Sequence, residues 1–324
     1  MRSPVSRRYR RTGSRSLVAL AGVVAVLVAG CGGGPDGAGG GDEQAAGSTS
    51  VPDTAAILGK VTEDQQLAAA LPAQTAESGT LRMGSYLQSA PNNFYAGDGK
   101  TPVGYEVDLA KAIAGKLGLT VAHEDMAFGS LITSLQSGRI DATMAAMNDT
   151  PERQQQIDFV DYFTSGITMM VKKGNPDAIA TPDALCGKAV AVVQGTSHQE
   201  FAAEQSEKCA AAGQGALTVT ATDSDTQNQN QLRTGRVAAV LNDLPSAVYV
   251  SRTAGDGGFF EVVPGEPING GPYGIGVNKN NRPLADAMQK ALQALVADGT
   301  YGQILQAWGV EQGAIEQVSV NGGT

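Results

Sequence analysis

Two charged residues in this chain could do chemistry together: Arg153, in Thr150-Pro151-Glu152-Arg153, and Asp243, in Asn242-Asp243-Leu244-Pro245. A guanidinium takes a carboxylate through paired hydrogen bonds, and a carboxylate takes an ammonium. One fixed cation and one fixed anion suit a zwitterion. Arg153 falls in the first turn of a helix, where the dipole favours anions, and a bound carboxylate would relieve that conflict. Asp243 stands between an apolar strand and a proline, so part of it is buried. A buried carboxylate needs a partner, which is either a ligand ammonium or the N–H groups of its own helix.

The turns that carry them repeat one pattern. Gly138-Arg139-Ile140-Asp141-Ala142 leads to the first, and Gly235-Arg236-Val237-Ala238-Ala239 leads to the second. Each reads as a helix-ending glycine, a short buried strand, and a loop with proline opening the next helix. That is the sheet edge at which open α/β proteins bind ligands, although βα units share such turns in any case. Gln194-Gly195-Thr196-Ser197 adds hydroxyls and amides at another helix N-terminus. It lacks the lysine of a phosphate loop, and no G-x-G-x-x-G follows a strand, so no cofactor is expected. His123 and His198 have no Ser or Cys partner at motif spacing, and no His/Cys set has metal-ligand spacing. Phe128 precedes the short helix of Leu131 and Leu135, where it either stacks on a ligand or belongs to the core.

The elements that must position these residues alternate. Strands are expected at Thr80–Gly84, Leu119–His123, Ile140–Ala145, Gly166–Lys172, Ala189–Val193, Leu217–Ala221, Val237–Leu241 and Tyr273–Val277. Helices fall between them; in one, Val107, Ala110, Ala114 and Leu117 share a face and Gly118 ends the run. The order implies an α/β fold with mostly parallel pairing. Nearly 240 residues, from about Gly79 to about Ile315, are comfortable for two lobes.

The N-terminus reads as a secretory signal over residues 1–30, with Arg2, Arg7, Arg8, Arg10, Arg11 and Arg15 before the apolar run Leu17 to Ala29. That run is shorter than the ~20 residues of a membrane span. Arg7-Arg8 leaves Sec and twin-arginine export both open. Without the signal the chain keeps 17 basic and 32 acidic residues, a formal charge of −15. That disfavours nucleic acid and anionic lipid surfaces as partners. Residues 31–77 begin Gly/Ser-rich and are expected to tether the domain, with a short helix around Leu58 to Leu71. Cys186 and Cys209 form an even pair outside the cytoplasm and are expected to be joined, which would contribute ~3 kcal/mol on the chain-entropy model.

Several blocks resemble the family-3 extracytoplasmic solute-binding proteins of ABC transporters, the polar amino-acid group. They include Gly104-Tyr105-Glu106-Val107-Asp108-Leu109-Ala110, Phe128-Gly129-Ser130-Leu131-Ile132, Leu135-Gln136-Ser137-Gly138-Arg139-Ile140-Asp141-Ala142, Thr150-Pro151-Glu152-Arg153, Asn242-Asp243-Leu244-Pro245 and Tyr273-Gly274-Ile275-Gly276-Val277. Val28-Ala29-Gly30-Cys31 resembles a bacterial lipobox and implies lipidation of Cys31. The cysteine pair and Asn321-Gly322-Gly323 are similar to an actinobacterial subgroup. The resemblance implies a two-lobed periplasmic-binding-protein fold of type II, with two crossover hinge strands and a ligand cleft between lobes. Lobe 1 would hold residues 78–166 and 273–324, and lobe 2 residues 167–272.

By motif, Arg153 would hold an α-carboxylate and Asp243 an α-ammonium. Ala146 and Asn148 would add contacts, Thr196 and Ser197 would clamp the carboxylate, and Phe128 would form an apolar wall. Where many members that take cationic amino acids have an acid, this chain has Tyr86, and Ser85 to Phe94 holds no acid. The expected ligand is therefore a neutral polar or acidic amino acid rather than a cationic one. The expected partners are a permease with its ATPase, and the membrane through the lipid on Cys31. The protein would be a monomer at the extracytoplasmic face of the cell membrane. The rival expectation is an enzyme on the same scaffold, like a cyclohexadienyl dehydratase, with Tyr86 or His198 as its acid.

Overall fold

The computed structural model describes residues 51–324. The signal at residues 1–30, the lipidation position Cys31 and the tether up to residue 50 lie outside the described residues. Among the described residues, no helix is long and apolar enough to cross a membrane.

Strands follow in chain order as β1 (Thr80–Ser85), β2 (Gln88–Ser89), β3 (Asn93–Tyr95), β4 (Pro102–Val103), β5 (Thr120–Asp125) and β6 (Ala142–Thr143). After them come β7 (Ile157–Lys172), β8 (Ala189–Val193), β9 (Thr218–Thr222), β10 (Ala239–Asp243), β11 (Phe260–Val262) and β12 (Ile268–Asn278). The main sheet runs β5-β1-β6-β12-β7-β10-β8-β9, with β11 beside β7. The outer strands pair in parallel, β1 with β5 and β6, and β8 with β9 and β10 in the other half. The expected parallel pairing stops at the middle. There β7 runs antiparallel to β12, β10 and β11, and β12 antiparallel to β6.

The strands β7 and β12 are the two crossovers of a two-lobed fold. Ile157 to Ile167 of β7 pairs along β12, and Ile167 to Val171 pairs with β10. Each lobe has its own core. One gathers Leu81, Leu109, Ile113, Phe163, Leu284, Leu292 and Ile304, and the other Ile179, Leu185, Val190, Val192, Phe201 and Leu241. A third cluster unites Tyr86, Phe128, Leu131 and Met147 with Val193, and so lies on the seam. In the second lobe Cys186 and Cys209 form a disulfide, with Cα atoms 5.3 Å apart.

Two features differ from the sequence expectation. Residues assigned to the tether fold as helices Ala55–Leu58, Gln65–Ala69 and Ala73–Ser78. Ile57, Leu58, Val61, Leu67 and Leu71 pack on the first core, and Asp64 caps the second helix by accepting from the N–H groups of Gln66 and Leu67. The other difference is the length of β7, which starts at Ile157, not Gly166. Its buried acids Asp158 and Asp161 are answered by residues Ser319 to Gly322: Asn321 bonds Asp158, and Ser319 and Gly322 donate to Asp161. The same segment reaches the Arg153 turn, where Gly323 N–H donates to Asp149.

Candidate functional site

Arg153 sits in the single helical turn Pro151–Gln154, capped by the hydroxyl of Thr150 and opened by Pro151. One turn has little dipole, so the conflict read from the sequence is small, and burial is what makes this guanidinium want an anion. Its side chain is 7% exposed. Nη1 donates to the Asn148 carbonyl at 3.0 Å and Nη2 to the Gly195 carbonyl at 3.3 Å, one in each lobe. The charge lies 5.6 Å from the centre of the Phe128 ring. Burial lowers its pKa, opposed by Glu200, Asp243 and Glu152 at longer range. No carboxylate of the described residues forms an ion pair with it, and a buried charge is stable only when paired.

Asp243 ends β10 and precedes the helix Leu244–Thr253, yet its side chain makes no capping bond. The alternative partner, its own helix, is thereby removed. Its Oδ1 instead accepts from the Tyr273 hydroxyl at 2.5 Å and faces His198 Nε2 at 3.2 Å. Its Oδ2 takes no hydrogen bond from the described residues. His198 was read only as a conceivable acid; its burial beside Asp243 comes from the helix Ser197–Ala211, which points its first turn at the strand end.

A narrow space, open to solvent, lies between the lobes here. Tyr86, Phe128, Ala146 and Asn148 line it from one lobe, and Thr196, Ser197 and Asp243 from the other. Arg153 touches this lining through Asn148 and Phe128. Ser197 Oγ donates to Asn148 Oδ1 at 2.8 Å across the cleft, whereas the Thr196 hydroxyl turns back to the Val193 carbonyl. The free N–H groups of the 15-residue helix behind them suit an anion. Tyr86 stands edge-on to Phe128, and its hydroxyl joins the lobes by donating to the Asp223 carbonyl and accepting from the Asp225 N–H.

Three further residues complete the cavity or its support. Ser89 lines it and lies 3.1 Å from the Ser246 hydroxyl of the other lobe. Asp225 lines it too, at 5% exposure. Burial pushes its carboxyl up to about 7; Asp243 adds to the shift, while His198 and Ser89 oppose it. Glu106 lies beneath the wall and accepts from Ala146 N–H, the Tyr162 hydroxyl and Asn93 Nδ2. Burial raises it to about 7 against those bonds. The signal for Glu106 was its place in Gly104 to Ala110; Asp225 offered none beyond a helix start. Among the described residues, no group of three or more His, Cys, Asp or Glu could hold a metal ion.

The chain, too, is similar to known proteins. Residues 81–311 match the bacterial extracellular solute-binding proteins, family 3. The chain is 31% identical over 233 residues to the L-cystine-binding protein TcyJ of Escherichia coli (strain K12), covering 72% of this chain and 83% of that protein. It is similar in structure to an ancestral arginine-binding protein bound to arginine, with TM-score 0.65 and 37% identity, covering 71% of this chain and 98% of the other. It is also similar to the ancestral amino acid-binding protein AncCDT-1, a precursor of cyclohexadienyl dehydratase, with TM-score 0.65 and 29% identity over 72% and 97% of the two chains. The chain belongs to the bacterial extracellular solute-binding proteins of family 3.

Proposed function

We propose that this protein binds a free α-amino acid between its lobes and delivers it to the permease of an ABC importer. It would work as a monomer at the extracytoplasmic face of the membrane, held there by a lipid on Cys31. The observation that carries the reading is the buried, ion-pair-free guanidinium of Arg153, which lies against the lining residues Asn148 and Phe128 of the cleft that Asp243 faces with its open Oδ2. In this reading Arg153 and the helix at Ser197 take the α-carboxylate. Asp243 takes the α-ammonium, and Phe128 and Tyr86 cover the ligand. Similar proteins named for cystine and for arginine share the α-amino-acid head and differ in the rest.

Thermal-shift screening against the proteinogenic amino acids tests this, beside Arg153→Ala. A ligand at 100-fold its Kd stabilises by ~2.7 kcal/mol. A shift with one or a few amino acids, abolished in the variant, supports the reading, and no shift with any of them overturns it.

A second reading, a dehydratase on this scaffold, is favoured by one observation: Asp225 is a buried carboxyl on the lining of the cleft, pushed by burial up to about 7, the range that suits a general acid. Turnover of prephenate or arogenate, lost in Asp225→Asn, would establish it.

A further inference from the structure

We infer that Asp225 recognises the side chain of the ligand, and that this side chain ends in a cation. The inference rests on the α-amino-acid reading above and reverses the expectation drawn from Ser85 to Phe94.

Asp225 opens the helix Asp225–Thr234 of the second lobe. An acid in a first turn ordinarily faces solvent beside the helix N–H groups. This one is buried, and its backbone N–H is fixed to the Tyr86 hydroxyl of the opposite lobe at 3.0 Å. No lysine or arginine pairs with it, and the His198 ring and the Ser89 hydroxyl are the groups that favour its charge. Asp243 has like charge, and the His198 nitrogen is already engaged with Asp243. None of the ion pairs among the described residues includes Asp225.

Charge matching then selects the ligand. The α-carboxylate answers Arg153 and the α-ammonium answers Asp243, which leaves one buried carboxylate over. A third ligand charge of positive sign pairs it, whereas a neutral side chain leaves it unpaired and an acidic one repels it. Asp225 and Asn242 also line a second space of about 390 Å³, open to solvent, whose lining does not include Arg153 or its turn. Gln88, Thr226, Gln229 and Ser246 line it with amides and hydroxyls, and no Lys, Arg or His does. Such a space receives the far end of a long side chain rich in N–H donors, which its amide and hydroxyl oxygens accept, and holds no cation to pair with a second carboxylate. Guanidinium and ammonium ends share this chemistry.

Isothermal titration of the protein and of Asp225→Asn tests the assignment, with arginine, lysine, ornithine and histidine in one arm and glutamine, glutamate and cystine in the other. At least one cationic amino acid is expected to bind ten-fold or more tighter than glutamine. Asp225→Asn should weaken that ligand 10- to 100-fold and change glutamine less than three-fold. Which cationic ligand leads separates a guanidinium from an ammonium. Asp225→Ser is a second variant, and a melting curve for each shows that it folds.

Glutamine or glutamate binding as tightly as any cationic ligand overturns the proposal. So does an equal loss for all ligands in both variants, which marks a structural role. Tight glutamine binding that is lost in Arg153→Ala but kept in Asp225→Asn leaves the head-group reading standing and overturns only the side-chain assignment. No binding by any amino acid overturns both.

Discussion

The carboxylate of Glu106 accepts the backbone N–H of Ala146 at 2.8 Å, across 40 residues of chain. Ala146 has φ of 49°, a left-handed conformation that costs a non-glycine residue ~1–2 kcal/mol. Glu106 therefore fixes a strained peptide in the wall of the cleft, and is itself held by Tyr162 and Asn93. Glu106→Gln keeps the volume but presents an amide donor to one of three donors. It is expected to lower stability by about 1–3 kcal/mol, the penalty of one unmatched buried group. Urea unfolding checks that value, and titration should show a loss of ligand affinity of at least ten-fold.

Gly195 and Gly129 meet backbone to backbone across the cleft. A Cβ on Gly195 would lie 3.1 Å from the Cα of Gly129, and Gly195 has φ of 77°. Gly195→Ala is expected to weaken ligand binding by ten-fold or more, because the added methyl separates the lobes. Strain at a left-handed position should lower stability by only ~1–2 kcal/mol. Titration against wild type measures the loss, and an unchanged affinity would show that the contact does not limit closure.

Three buried acids titrate high: Asp225 and Glu106 at about 7 and Asp161 at about 6. In the unfolded chain such groups titrate near ~4. Between those values the folded state binds more protons than the unfolded one, so stability falls as pH rises. Melting without ligand is therefore expected at a higher temperature at pH 5.5 than at pH 7.5. Asp225→Asn should flatten part of that slope, and an unchanged slope would mean that Asp225 does not titrate in this window.

The disulfide closes a segment of 23 residues inside the second lobe. Replacing both Cys186 and Cys209 with alanine should cost ~3 kcal/mol, mainly by freeing the unfolded chain. Neither cysteine lines the cleft, so the ligand Kd should move less than three-fold. Chemical unfolding and titration of the same double variant measure both.

How much of this was legible follows from where each residue's partners lie. The helix Tyr105–Lys116 was readable from Val107, Ala110, Ala114 and the stop at Gly118, since its signals are local. The turns of Arg153 and Asp243 were readable for the same reason, each opening its helix with its own proline. The first half of β7 was not, because Asp158 and Asp161 interrupt the apolar run and their partners Ser319 to Gly322 come from far along the chain. Asp225 was missed likewise. In Ser224-Asp225-Thr226-Gln227 it reads as a solvated helix start, and only contact with Tyr86 of the other lobe buries it. The expected strand at Ile140–Ala145 pairs only at Ala142–Thr143, since Ala145 and Ala146 line the cavity.

The crossing of β7 and β12 also sets an order of assembly. Every side chain of the second core lies between Ile167 and Ile268, a continuous stretch of chain. The first core joins Leu81 and Leu109 to Leu284 and Ile304, which arrive only after that stretch has been traversed. Contacts distant in sequence form slowly, because the loop between them must be closed first. The second lobe is thus the early-folding unit. The first completes only when β12 returns to lie beside β7, so refolding should give lobe 2 amide protection before any binding competence.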